Sequence, residues 1–242
     1  MPFSDPAGLG QQESDALARL RTDAADIVGR YPRARSALLP LLHLVQSEDG
    51  YVSDDGIRFC AEVLGCTETE VAGVATFYTM YARSPAAEYQ VGVCTNALCA
   101  VMGGDQIYAE LAEHLGADPE GHDGEHRGIR SPDGKVGVER IECNAACDYA
   151  PVIMVNWEFF DDMTPQSARQ LVDDLRAGNP VRPTRGPGRL CTWKEASRIL
   201  AGFGDGQAAD GPSAGPASLV GLKLAKANGW TAPEPAGDGG TK

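Results

Sequence analysis

Apolar residues in the first third of the chain recur at helical spacing. Leu17, Leu20, Ala24, Ile27, Val28 and Tyr31 fall on one helical face, and Pro32 stops the run. Residues 34–46 are leucine-rich with Pro40 among them, so a helix there starts late or kinks. Ser53 can cap a third helix that ends near Gly65. Thr67 and Glu70 are spaced as a capping box, in which each side chain satisfies the other residue's backbone N–H. Val71, Val74, Tyr78 and Tyr81 then continue as one apolar stripe. Four short helices on short links predict a small bundle over 14–84, preceded by a tail at 1–13.

From about residue 88 the pattern changes. Residues 88–93 read as a short strand, and 105–115 as a helix with Ile107, Leu111 and Leu115 on one face and Gly116 past its end. Residues 117–135 are rich in Gly, Asp and His and read as a loop. Strands are expected at 136–142 and 152–155, with an edge strand at 158–160 after a turn at 156–157. Thr164 caps a last helix with Pro165 in its first position; it carries Leu171, Val172 and Leu175 and ends at Gly178. The order β-α-β-β-β-α over 85–180 fits a small thioredoxin-like sandwich, and the expected fold class is α+β.

The final segment, 181–242, has 12 Gly and 6 Pro in 62 residues, a composition that favours little packed structure. Eight Lys or Arg against five Asp or Glu leave it at +3, and residues 1–180 at −16, in a chain of net charge −13. Two helical islands are expected within it. One follows a Thr192/Glu195 capping box, and the other runs through Leu219, Leu222 and Leu224. The segment reads as an extended C-terminal arm that orders on a partner, or equally as a disordered tail.

Composition narrows the function. With 43% hydrophobic and 23% charged residues the chain is ordinary for a soluble globular protein. A net charge of −13 disfavours nucleic acid, whose phosphates need basic patches. No apolar run approaches the roughly 20 residues that span a bilayer. Residues 1–10 lack a basic region followed by an apolar stretch, so a cytoplasmic location is expected. Cysteines stand at 60, 66, 94, 99, 143, 147 and 191; in such a compartment clustered cysteines more often bind metal than form disulfides.

The strongest chemical signal is Cys94-x4-Cys99 followed, after 43 residues, by Cys143-x3-Cys147. The first pair lies just after one expected strand and the second at the end of another. If those strands are neighbours, both loops leave the sheet at the same end. A 2Fe–2S cluster needs four thiolates, two on each tetrahedral iron. Loops this short suit one iron each, Cys94 with Cys99 and Cys143 with Cys147. Ala97, Ala100, Ala145 and Ala146 leave backbone N–H groups free to approach sulfur. Spacing alone leaves a structural zinc on the same cysteines open. A thiol–disulfide oxidoreductase is disfavoured by the lack of a Cys-x-x-Cys pair.

These residues belong to a longer series of motifs. Ala37-Leu-Leu-Pro-Leu-Leu-His-Leu-Val-Gln46, Gly50-Tyr-Val-Ser53, Val74-Ala-Thr-Phe-Tyr-Thr-Met80, Val93-Cys-Thr-Asn-Ala-Leu-Cys99 with Gly103-Gly104, Val138-Glu-Arg-Ile-Glu-Cys143, and Cys147 followed by Ala150-Pro-Val152 occur in order. In this the chain resembles the 24-kDa subunit family of respiratory NADH–quinone oxidoreductase (complex I), a thioredoxin-like 2Fe–2S ferredoxin, over roughly residues 15–180. The resemblance selects iron over zinc. It implies one 2Fe–2S cluster on Cys94, Cys99, Cys143 and Cys147, exchanging single electrons with the FMN of a partner flavoprotein subunit that binds NADH. The N-terminal helices would grip that subunit. The chain would belong to a translocase, beside the iron–sulfur subunits of its peripheral arm at the inner face of the cell membrane. It would carry no catalytic residue and no complete active site, and no strand–GxGxxG–helix unit marks a nucleotide site on it. Two further readings are an equivalent subunit of an NAD-linked formate dehydrogenase or NAD-reducing hydrogenase, and a zinc-stabilised scaffold.

The chain departs from the family pattern in the second cysteine loop. Ala145 stands where Gly is frequent, and Asp148-Tyr149 where Gly-Asn is frequent. A carboxylate at 148 is expected to lower the reduction potential, because adding an electron near a negative charge costs energy. The looser likeness of residues 185–191 is to an extended arm of some members. Pro151 is a candidate cis residue by analogy with thioredoxin folds. Cys60 and Cys66 are expected to pack in the bundle, His122 and His126 to lie in a solvated loop, and Phe77, Tyr78 and Tyr81 to be mainly core.

Overall fold

The computed structural model describes residues 6–117, 128–207 and 210–233, with side chains from residue 16 onward. His122 and His126 lie outside the described residues.

The N-terminal helices are α1 (Pro6–Val28), α2 (Leu38–Asp49), α3 (Asp54–Leu64) and α4 (Glu68–Phe77), with a 3-10 turn at Ala34–Ala37 ahead of α2. The expected tail is partly helical. Pro6 starts α1 where a missing N–H costs nothing, and Gln11, Gln12 and Glu13 are good helix formers. Starting at Leu38 puts Pro40 in the first turn of α2, so the helix starts late and does not kink there. Gly50 and Gly65 end α2 and α3 at φ 82° and 64°, the left-handed region that glycine enters freely. Ser53 Oγ accepts from Gly56 N–H at 3.0 Å, and the Thr67/Glu70 capping box is closed. Ile27, Leu41, Leu42, Leu44, Val52 and Val71 form a fully buried core.

The apolar stripe expected through Tyr81 breaks. The backbone turns extended at Tyr78, so Tyr81 enters the core while Tyr78 and Phe77 face outward, Phe77 at 78% exposure.

The second layer is a five-stranded sheet in the order β2-β3-β1-β4-β5. Its strands are β1 (Tyr89–Cys94), β2 (Ile129–Arg130), β3 (Val136–Ile141), β4 (Ile153–Val155) and β5 (Glu158–Phe160). β1 runs parallel to β3 and antiparallel to β4, and the edge strands β2 and β5 are antiparallel to their neighbours. β2 falls in the stretch expected to be loop; two residues are too few to show a period of two. Helices α5 (Ala97–Val101) and α6 (Gly104–His114) lie in the β1–β3 crossover, and α7 (Pro165–Ala177) follows β5. Ile107 and Leu111 of α6 and Leu171, Val172 and Leu175 of α7 bury Val91, Val93, Val136, Val138 and Val155.

The C-terminal segment corrects the expectation that it waits for a partner. Both helical islands form, α8 (Trp193–Leu200) and α9 (Val220–Asn228), but α8 packs on the chain's own α2. Trp193 Nε1 donates to Gly50 O at 2.9 Å, and Trp193 N–H donates to Glu88 O at 2.8 Å. Gln46 Nε2 donates to Ser197 Oγ at 3.1 Å, and Ala201 is in the bundle core. Arg30 and Arg198 stack on Phe203 at 5.2 and 4.3 Å. Glycine and proline around α8 dilute its apolar face without removing it. α9, by contrast, buries no residue.

Candidate metal centre

Register decides where the two cysteine loops meet. Cys94, the last residue of β1, lies opposite Ile141, the last residue of β3, two positions before Cys143. Parallel neighbours end at the same edge of the sheet, so both loops leave from one end. Cys94 N–H donates to Val152 O at 3.1 Å, which sets the chain after Pro151 beside the first loop. The Ala150–Pro151 peptide is cis.

The first loop packs against α6 through two glycines. Gly103 has φ 114°, and a Cβ on Gly104 would come 2.4 Å from Cys94 O and 3.0 Å from Cys99 O. A side chain there would wedge the loop off the helix. A bond missed by sequence reasoning ties the two loops together: Asn96 Nδ2 donates to Glu142 Oε2 at 2.9 Å. Neither residue type at its position signals the other.

The four expected thiols stand at this end of the sheet as two pairs. Cys94 and Cys99 are buried, at 2% and 3% exposure, in a small cluster with Ala146 and Val152, while Cys143 and Cys147 are exposed. Cys143 Sγ and Cys147 Sγ are 3.6 Å apart. Burial, opposed by a hydrogen bond from Val152 N–H and reinforced by Cys94, pushes the Cys99 thiol up to about 11. The Cys147 thiol is pushed up by its hydrogen bond with Cys143, then by burial and the charges of Cys143 and Cys94. Each pair thus acts electrostatically on the other. Ala145 N–H points at Cys143 Sγ, 3.4 Å away, as expected of a loop of small residues. Ala145 adopts this turn at φ 54°, a conformation glycine would take without strain.

Thiols paired this closely repel one another as thiolates, and polycationic metal reverses that balance by binding the deprotonated sulfurs. Among the described residues no group of three or more His, Cys, Asp or Glu side chains is placed to hold a metal ion. The thiols stand as two pairs and do not close into one tetrahedral cage. Such a donor set fits a two-iron group.

Cys60, Cys66 and Cys191 stay apart from this site. Cys60 is buried in α3 and Cys66 half-buried just beyond it, as expected. Cys191 is buried, with its Sγ 3.8 Å from Asp205 Oδ2.

The chain is similar to known proteins. A family model described as thioredoxin-like [2Fe-2S] ferredoxin matches residues 24–176. An NADH-quinone oxidoreductase subunit of Mycobacterium tuberculosis is 58% identical over 220 residues, 90% of this chain and 84% of the relative. An NADH-quinone oxidoreductase subunit of Thermus thermophilus is 36% identical over 156 residues, 64% of this chain and 82% of the relative. A chain in the crystal structure of an NAD+-reducing [NiFe]-hydrogenase is similar at a TM-score of 0.49 and 18% identity, covering 59% of this chain and 23% of that one.

Proposed function

This chain belongs to the thioredoxin-like [2Fe-2S] ferredoxin family, and from that premise we propose that it is the 2Fe–2S subunit of an NADH–quinone oxidoreductase, with the cluster on Cys94, Cys99, Cys143 and Cys147. The observation that carries the ligand assignment is the meeting, at one end of the sheet, of two cysteine loops that the β1–β3 register aligns. The 3.6 Å between Cys143 Sγ and Cys147 Sγ suits two ligands of one tetrahedral centre, whose sulfurs stand about 3.8 Å apart for metal–sulfur bonds of about 2.3 Å. Cys94 and Cys99 would hold the other iron. When bound, the cluster supplies a one-electron step at a potential set by hydrogen bonds to sulfur, charge and exposure.

The chain's own residues set those terms. Val152 N–H and Ala145 N–H donate to the sulfurs of Cys99 and Cys143 and favour the more negative, reduced state. The buried pair keeps one side dry. The exposed pair presents the other side to a partner, where a bound cluster would exchange single electrons with the FMN of a flavoprotein subunit. The NADH and quinone sites lie on other subunits, so no complete active site is on this chain. Residues 14–84 act as the bundle that grips the flavoprotein, 85–180 as the cluster domain and 181–242 as an arm. No helix among the described residues is long and apolar enough to cross a membrane, which suits a subunit held peripherally at the inner face.

The test is the purified full chain. Two irons per chain and a 2Fe–2S electron paramagnetic resonance signal after dithionite reduction are expected. Replacement of any of the four cysteines by serine is expected to reduce bound iron. A colourless protein holding one zinc would overturn the assignment, and wild-type iron content in a serine variant would remove that cysteine from the ligand set. Co-purification with an FMN-containing subunit tests the partner.

A further inference from the structure

The second cysteine loop is gripped by a segment some 70 residues further along. Ser218 Oγ donates to Asp148 Oδ2, and Ala217 N–H donates to the Tyr149 hydroxyl at 3.2 Å. The approach is close: a Cβ on Gly215 would come 2.2 Å from the Tyr149 hydroxyl oxygen. Behind this contact Gly186 N–H donates to Pro212 O at 3.1 Å, and a Cβ on Gly211 would come 1.9 Å from Gly186 O. Arg185 pairs with Asp161 at 2.6 Å and stacks over Phe159 and Tyr149, at 4.6 and 5.5 Å. Its charge also acts on Asp148. Residues 185–186 and 211–218 therefore close around residues 148–149.

The family match ends at residue 176, whereas the mycobacterial relative is matched over 90% of this chain, a share that has to include residues beyond 176.

We propose that residues 215–218 are an intramolecular clasp on the second cysteine loop, with Ser218 as a positioning residue acting through Asp148. The inference rests on the cluster assignment above. A hydroxyl that donates to a carboxylate fixes it and withdraws part of its charge, and the nearby guanidinium adds to that effect. Released, the Asp148 carboxylate stands one residue from Cys147 with its field undiminished, and electron uptake at the adjoining cluster becomes harder. Losing the clasp also frees the turn that carries Cys147.

The test compares the full-length wild type, Ser218→Ala, Asp148→Asn and the double variant. In redox titrations followed by electron paramagnetic resonance, Ser218→Ala is expected to shift the midpoint to lower potential. On the Asp148→Asn background the same change is expected to shift it no further. An unshifted midpoint, or a shift that persists without the Asp148 charge, overturns the proposal. In the cluster-free chain, Ser218→Ala is expected to speed amide hydrogen exchange over 146–150, and unchanged exchange overturns the clasp. A wild-type protein without a 2Fe–2S signal would count against the cluster assignment, while the exchange comparison would still decide the clasp.

Discussion

Gln46 is fully buried and joins three parts of the chain. Its Nε2 donates to Met80 O and to Ser197 Oγ, both at 3.1 Å, and its Oε1 accepts from Ala82 N–H at 2.8 Å. Helix α2 is thereby tied to the connection that leads into β1 and to α8. Gln46→Leu keeps the volume roughly constant and leaves three polar groups without this partner. Ala82 and Ser197 are buried and Met80 is half-buried. Each buried group left unpaired costs about 1–3 kcal/mol, and the Ser197 hydroxyl can rotate to recover part of its share, so the gross loss is about 4–6 kcal/mol. Leucine burial returns about 1–2 kcal/mol. The net destabilisation expected is about 2–5 kcal/mol, a large part of an ordinary folding free energy of about 5–15 kcal/mol. In urea, followed by circular dichroism, the midpoint is expected to fall by about 1 M for an m value near ~3 kcal/mol per molar. Ser197→Ala alone is expected to cost about 1 kcal/mol, and less on the Gln46→Leu background, because the two share a bond. A Gln46→Leu midpoint within about 0.2 M of wild type would refute this account of how α8 is held.

Further outcomes follow from single side chains. His43 is buried against Tyr81 with its Nδ1 unpartnered, and desolvation holds its pKa at about 4, below the usual 6.5. The unfolded chain binds the proton more readily, so stability is full above pH 6.5, is lost as pH falls toward 4, and the loss amounts to about 3 kcal/mol. His43→Leu is expected to flatten that part of the dependence, seen as a smaller difference between urea midpoints at neutral pH and near pH 4. Ala145→Gly removes left-handed strain of about 1–2 kcal/mol and adds about 0.4–1 kcal/mol of chain entropy to the unfolded state. Its melting temperature is expected to stay level or rise, and a clear fall would contradict the strain. Gly104→Ala puts a Cβ against Cys94 O and is expected to cost about 1–3 kcal/mol and lower iron per chain; full iron and unchanged stability would show that the loop can shift freely.

What the sequence determined by itself is whatever a few neighbouring residues decide. The Thr67/Glu70 and Thr192/Glu195 capping boxes and the helix ends at Gly65 and Gly178 lie within one or two turns, and each formed as expected. The four thiols were also legible, as two short loops each following a strand. Their meeting was only conditional, because it depends on β1 and β3 being parallel neighbours, which no local period encodes. Tertiary structure decided the rest. Trp193 meets Gly50 across 143 residues, Gln46 meets Ser197 across 151, and Ser218 meets Asp148 across 70. Composition made the C-terminal segment look unpacked because glycine and proline report how costly ordering is. They do not report whether a distant buried amide, carbonyl or carboxylate stands ready to offset that cost.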